Sequence, residues 1–366
     1  MEENVSQKRS EDTSAQKSSQ MWYKQGNHLL EQQRYEEAVE AYNQALLLTP
    51  DDSRIYCNKG IVFNRSGHFE EALALYEQAL QLEPEDAITW VNKGVSLVRL
   101  KRYNEALIAY EQSIRIKPTS EGFYGQGSML SELGRHREAL SAYEQALHLD
   151  PASISALTGK GDALNELSRY EEALAVYYQA FQIDSDVIET WIGIGTTFEN
   201  LGKPEEAIRA YEQAKRLDPS NVLVWYNTGN SLMDLHQYRE ALAAYERALA
   251  LDRDYLRAWI NKGIVLAYLG REEEALSCFE QVLQRDSHYA NAYFNKGQVL
   301  AKIGRYEDAL TAYDHVLQLD PDFANAVKGK EEVLLALDPE RSSLHRKKRT
   351  RNRGSHWASF WKHVIV

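Results

Sequence analysis

The chain has 366 residues, 26% of them charged, and a formal net charge of −12. That length exceeds what one ordinary domain core organises, so it implies two domains or a repeat array. Ala, Leu, Glu, Gln and Tyr dominate, prolines number only eight, and strand-type runs of Val, Ile and Thr are missing, which excludes a β-rich fold and favours helices nearly throughout.

In chain order, residues 1–18 come first, with three Lys/Arg against four acids and no apolar run. They predict a disordered polar arm and no secretory leader. From Ser19 the chain falls into lines of 34 residues that restart at 53, 87, 120, 154, 188, 222, 256 and 290, with one line a residue short and the ninth ending at 323. Column 8 is glycine in every line, from Gly26 and Gly60 to Gly297, and column 20 is always alanine, from Ala38 to Ala309. Column 24 is Tyr, with Phe279 as the one substitute; column 4 is aromatic, with Leu157 as its one exception.

Each column has a physical reason. A mid-helix glycine costs about 1 kcal/mol against alanine, so nine of them require a return. Close approach of a first helix, through column 8, to Ala at column 20 of a second helix is the expected return. The rings at columns 4 and 24 are too large for one hairpin to bury and should fill the gap between neighbours. Gly67, Gly134, Gly202, Gly270 and Gly304 at column 15 mark left-handed helix ends. Pro50, Pro84, Pro118, Pro151, Pro219 and Pro321 at column 32 stop the second helices, whereas Ser185, Arg253 and Ser287 leave three of those ends less sharply defined.

These residues resemble the tetratricopeptide repeat family, whose pattern is W-x2-L-G-x2-Y, then A-x3-F, then P. The resemblance covers residues 19–323. It implies an all-α, right-handed superhelical solenoid of antiparallel helix hairpins whose first helices line a concave groove. Residues 324–337 read as one more first helix, a cap with a polar outer side, and 338–366 as a basic tail.

By that resemblance, columns 2, 5, 6, 9, 12 and 13 face the groove. Column 6 supplies Asn58, Asn92, Asn227, Asn261 and Asn295. A primary amide has two donors and an acceptor, enough to bond both sides of a peptide unit in an extended ligand; toleration of solvent is the plainer alternative. Lines 2 and 3 add Arg54, Arg65 and Arg99 among Ile61, Val91, Val95 and Val98. Lines 4 to 6 add Glu121, Glu132, Asp162, Glu166, Glu189 and Glu199; lines 7 to 9 return to Tyr226, Asn230, Ile260, Ile264 and Phe294. Two peptide-binding ends around an acidic middle is one reading, a uniformly acidic body the other. The family's carboxylate clamp, Lys at column 5 with Asn at column 9, is incomplete, since Tyr23 and Tyr226 precede Asn27 and Asn230.

The tail carries eight Lys/Arg against Asp338 and Glu340, net +6, which leaves −17 on residues 19–337. That body should repel nucleic acid. Arg346, Lys347, Lys348 and Arg349 precede Trp357, Phe360, Trp361, Val364 and Ile365, an amphipathic helical stripe. Contact with an anionic membrane surface, docking on the open end of the solenoid, nucleic-acid binding and a dispensable extension stay open for it.

No catalytic motif, metal-ligand spacing or cofactor fingerprint is found. Gly159-Lys160-Gly161 and Gly193-Ile194-Gly195 fall inside first helices and read as packing glycines. Cys57 and Cys278 stand alone, which suits a reducing, cytoplasmic setting. The expected function is a scaffold or adaptor that holds extended segments of partner proteins without turnover. A regulatory or substrate-recruiting subunit of an enzyme complex, or a membrane-surface tether, is the alternative.

Overall fold

The computed structural model of the protein describes residues 2–338; every tail position named above from Arg346 to Ile365 lies outside the described residues. Those described form nineteen helices and no strand. They divide into two compact units, one ending at Leu201 and one starting at Gly202.

In the first unit the first helices are α1 (Glu2–Glu31), α3 (Ser53–Arg65), α5 (Ala87–Arg99), α7 (Ser120–Glu132), α9 (Ile154–Glu166) and α11 (Ile188–Asn200). Between them come the second helices α2 (Tyr35–Leu48), α4 (Phe69–Leu82), α6 (Tyr103–Ile116), α8 (His136–Leu149) and α10 (Tyr170–Ile183). The second unit starts with a second helix, α12 (Pro204–Leu217), followed by α13 (Val222–Asp234) and α14 (Tyr238–Leu251), α15 (Leu256–Tyr268) and α16 (Glu272–Arg285), α17 (Ala290–Lys302) and α18 (Tyr306–Leu319), and finally α19 (Ala324–Leu337). Within each unit, successive first helices touch one another, whereas the second helices of the described residues touch first helices only. First helices therefore sit on the inner side of each stack. α1 runs on from Glu2, so a helix occupies the stretch expected as a disordered arm; Glu, Gln, Lys and Ala in that stretch are good helix formers, and it extends a helix anchored from Ser19 onward.

The column-8 glycines have a different partner from the one expected. An added Cβ at Gly60 would lie 2.6 Å from Cε1 of Tyr76, and one at Gly229 2.6 Å from Cε1 of Tyr245. The column-24 ring of the same hairpin, not column-20 alanine, fills the space that glycine leaves. The other edge of the ring meets the next hairpin: an added Cβ at Gly159 would be 2.6 Å from Tyr143, and one at Gly329 2.7 Å from Tyr313. Tyr42, Tyr76, Tyr177, Tyr211, Tyr245 and Phe279 are accordingly fully buried. Column-4 indoles fix the next joint. Trp90, Trp191, Trp225 and Trp259 donate Nε1–H to the carbonyls of Pro84, Ser185, Pro219 and Arg253 at 2.8–3.0 Å.

Helix ends are more uniform than the sequence suggests. All nine column-15 residues have positive φ: the five glycines and also Gln33, Lys101, Ser168 and His236 at 57–61°. The bonds His68 N–H to Phe63 O at 2.8 Å and Arg102 N–H to Leu97 O at 2.9 Å close the turn alike with Gly67 or Lys101. The helices preceding Ser185, Arg253 and Ser287 end in register with the others, because a column-31 aspartate terminates them. Asp184, Asp252 and Asp286 accept from the backbone N–H two residues on at 2.8–2.9 Å. The outer side of α19 is mixed: Val327, Leu334 and Leu337 are exposed on it together with Asn325, Lys328 and Glu331.

Two substitutions test this account, with opposite signs. Gly60→Ala gains about 1 kcal/mol of helix propensity but drives a methyl into a buried ring, so a net loss of about 1–2 kcal/mol is expected. Lys101→Gly removes the left-handed penalty and should stabilise by about 0.5–1 kcal/mol. Urea midpoints of the two variants should move in opposite directions; a stabilised Gly60→Ala would contradict the ring-on-glycine joint.

Candidate functional site

The inner faces of the first helices carry the candidate residues, and their amides already have work within the fold. In the first unit the Tyr42 hydroxyl donates to Asn27 Oδ1 at 2.7 Å. Asn58 Nδ2 reaches across from the next first helix to Asn27 Oδ1 and to the Tyr23 hydroxyl, both at 2.9 Å. The second unit repeats the motif. Tyr245 donates to Asn230 Oδ1 at 2.8 Å, and Asn261 Nδ2 to Asn230 Oδ1 at 2.9 Å and to the Tyr226 hydroxyl at 3.2 Å. Asn92 Nδ2 faces Cys57 Sγ at 3.8 Å. Asn58, Asn92 and Asn261 of column 6 are thus not idle groups on a solvated face: they tie consecutive first helices together. Their donors are spent, so Asn58 and Asn261 can offer a ligand only Oδ1.

Two of the five are closed off. Asn227 is buried, and Asn295 is fully buried with Nδ2 donating to the Asn291 carbonyl at 2.8 Å. Ile260, Ile264 and Phe294 are buried as well, the last only 2% exposed. Column 34, just before each first helix, explains why. Before α3, α5, α7 and α9 that column is Asp52, Asp86, Thr119 and Ser153, whose side chains accept from backbone N–H groups of the first turn, while Val187 before α11 makes no such bond. In the second unit Asn221 still caps α13 in this way, but before α15, α17 and α19 the column becomes Tyr255, Tyr289 and Phe323, which pack against the core. Tyr255 meets Tyr226 edge-on at 5.1 Å, and Phe323 meets Phe294 at 5.2 Å. Exchanging a cap for an aromatic cover is the signal in the sequence that shows where this face is shut.

The face of α3 and α5 stays open. Ile88 is 68% exposed and Val95 37%, with Ile61, Val91 and Val98 half-buried beside them. Residues 88, 91, 95 and 99 share one stripe of α5, and 58, 61 and 65 one stripe of α3. Arg65 and Arg99 are exposed at its end and have no ion pair among the described residues. Arg54 is engaged, 2.6 Å from Asp52 and with its guanidinium 5.7 Å from the Tyr23 ring centroid. Ile88 and Tyr124, 37% exposed, were not singled out from the sequence, though both occupy groove columns.

On α7, α9 and α11, Glu121, Glu132, Glu166 and Glu189 are exposed and Glu199 is half-buried. Asp162 is the chemically distinct acid. It accepts from the Tyr177 hydroxyl at 2.5 Å, the bond that Asn27 and Asn230 make at the same column. The crowding of surrounding protein pushes its carboxyl above the usual carboxylate range; the Tyr177 bond opposes this shift and neighbouring Glu166 adds to it. Burial and the Asp162 charge in turn push the Tyr177 hydroxyl far up. Lys160, between two glycines of α9, pairs with Glu144 at 3.1 Å, and its flanking glycines abut Tyr143 and Tyr177. Among the described residues no group of three or more His, Cys, Asp or Glu is placed to hold a metal ion. No helix of the described residues is long and apolar enough to cross a membrane.

A raised carboxyl pKa means that folding favours the protonated acid, so its contribution to stability falls as pH rises from the ordinary carboxylate range through the higher folded value. Asp162→Asn keeps the acceptor for Tyr177 and removes this penalty. Its stability difference from the parent should grow through that window and level off above it, as read from urea midpoints at stepped pH. A difference that shrinks with rising pH would show Asp162 to be stabilising as an anion.

Three tetratricopeptide repeat models match, one at residues 17–85 and 254–322, one at 57–121 and 124–187, and one at 188–221 and 222–255. A search of curated proteins finds no match. Among solved structures, a tetratricopeptide repeat protein from Parabacteroides merdae superposes with a TM-score of 0.57 at 17% identity, over 68% of this chain and 99% of its own. YrrB, described as a TPR protein with an unusual peptide-binding site, is 28% identical over 52% of this chain and 99% of its own, with a TM-score of 0.44. Yeast Tom70 is 13% identical, with a TM-score of 0.47, over 91% of this chain and 97% of its own. With repeat models matched in succession from residue 17 to residue 322, the chain belongs to the tetratricopeptide repeat family.

Proposed function

We propose that this protein is a non-catalytic scaffold that holds an extended segment of a partner protein on the inner face of α3 and α5. The observation that carries the reading is the open stripe of Ile88, Val91 and Val95 beside the unpaired guanidinium groups of Arg65 and Arg99. Apolar side chains left in water on a face whose counterparts on α15 and α17 are covered mark a surface suited to a partner. Two free guanidinium groups at its edge select carboxylates, so the favoured segment alternates apolar and acidic side chains. The Oδ1 atoms of Asn58 and Asn92 add acceptors for the segment's backbone N–H groups. Arg54 reinforces the positive edge while paired to Asp52, and the acidic face of α7 to α11, with Asp162, Glu166 and Glu199, repels the same segment and limits how far it extends.

The test is capture from a lysate by the full chain, read by mass spectrometry, against Arg65→Glu/Arg99→Glu and against Asn227→Ala/Asn295→Ala. Charge reversal should lower recovery of groove-bound partners at least about tenfold, while helix content by circular dichroism stays unchanged. The asparagine pair should alter stability rather than which proteins are captured. Partners that survive charge reversal and vanish with the buried asparagines would place recognition in the second unit and refute this assignment.

A further inference from the structure

The last described helix has an unpartnered apolar face. Leu334 of α19 occupies column 11, where Leu29, Leu97, Leu130, Leu164, Leu266 and Leu300 are at most 6% exposed. Leu334 itself is 47% exposed, and Val327 and Leu337 beside it are 39% and 38% exposed. In those six hairpins a second helix follows the first; after α19 none follows among the described residues. The inner side of α19 is seated normally, with Ala326 and Val333 buried and Gly329 against Tyr313. Only the face that a second helix would cover is bare.

We propose that residues 357–365 of this same chain lie along that face and stand in for the missing second helix. Trp357, Phe360, Trp361, Val364 and Ile365 repeat at helical spacing and give one continuous apolar stripe, which is what an exposed Val327–Leu334–Leu337 face needs. Where the chain leaves the described residues also favours them. Pro339 stops α19 immediately, and the nineteen residues 338–356 intervene before Trp357. Extended, they reach about 60 Å, whereas a 14-residue helix such as α19 is about 21 Å long, so return to α19 is unconstrained in either direction.

Charge separates this occupant from an ordinary repeat helix. Column 8 of α19 is Glu331, exposed, where every complete repeat has glycine. A side chain there prevents a column-24 ring from seating as it does on Gly60 or Gly297. A carboxylate in its place suits a segment from a tail of net +6, in which Lys362 borders the stripe. The same tail could meet an anionic bilayer or a second copy; those become outcomes of the test.

The experiment uses the full chain. Hydrogen exchange of amides 330–337 is compared between the parent and Trp357→Ser/Phe360→Ser/Trp361→Ser. The amides should exchange at least about tenfold faster in the variant, with the amides of α15 unchanged. A Leu334→Cys/Phe360→Cys chain should form a disulfide on mild oxidation, whereas a Gln318→Cys/Phe360→Cys control should not. Mixing labelled and unlabelled chains shows whether the link lies within one molecule. Unchanged exchange, a link found only between chains, or tail-dependent binding to phosphatidylserine vesicles with no effect on α19 would each overturn the proposal.

Discussion

The column-24 ring, caught between a glycine of its own first helix and column 6 of the next, is the contact on which the rest depends. It joins three helices at once, so no hairpin is complete without its neighbour, and a stack of small units becomes cooperative. The ring also explains why mid-helix glycines persist despite their helix penalty. Filling the gap at Gly60 with a methyl would put atoms 2.6 Å from the ring edge, well inside contact distance.

Column 6 then has two solutions. Gly125, Gly159, Gly193 and Gly329 let the preceding ring lean directly on the helix backbone. Asn58 and Asn261 instead reach back to the column-9 amide oxygen that also receives the ring's hydroxyl. Both secure the same joint, one by shape and one by hydrogen bonding. Asp162 is a hybrid, doing the acceptor work of Asn27 and Asn230 with a carboxyl group.

The fold was legible because a 34-residue period repeats its packing residues nine times, and each column reports the same contact. Less regular positions were not. Nothing at Gln33, Lys101, Ser168 or His236 announces a left-handed residue; only their register with Gly67 and Gly134 does, since the hairpin geometry imposes the conformation on whatever stands there. The internal bonds of the asparagines were not legible either, for a physical reason. Asn27 and Asn230 look available until a tyrosine hydroxyl fifteen positions on claims each of them across the turn, and Asn58 and Asn261 until those same amides, 31 positions back, take their Nδ2. Access at Phe294 and Ile260 depends on column 34, outside the groove columns altogether.

That dependence gives α3 and α5 different surroundings from α15 and α17, even though all four are built from one repeat. In an interaction scaffold each inner-face residue can stabilise the stack or wait for a partner, but a side chain fully spent on the first is lost to the second. Tyr255, Tyr289 and Phe323 commit α15 and α17 to the first use, giving up helix caps to bury Ile260, Ile264 and Phe294. Asp52 and Asp86 make the opposite choice. They satisfy the first-turn N–H groups of α3 and α5 with compact carboxylates and leave Ile88 and Val95 in solvent. Such exposed apolar surface carries a cost in water that folding alone does not recover, whereas a partner laid along it would. The caps that keep the surface open are therefore as much a part of the proposed site as the residues that would touch the ligand.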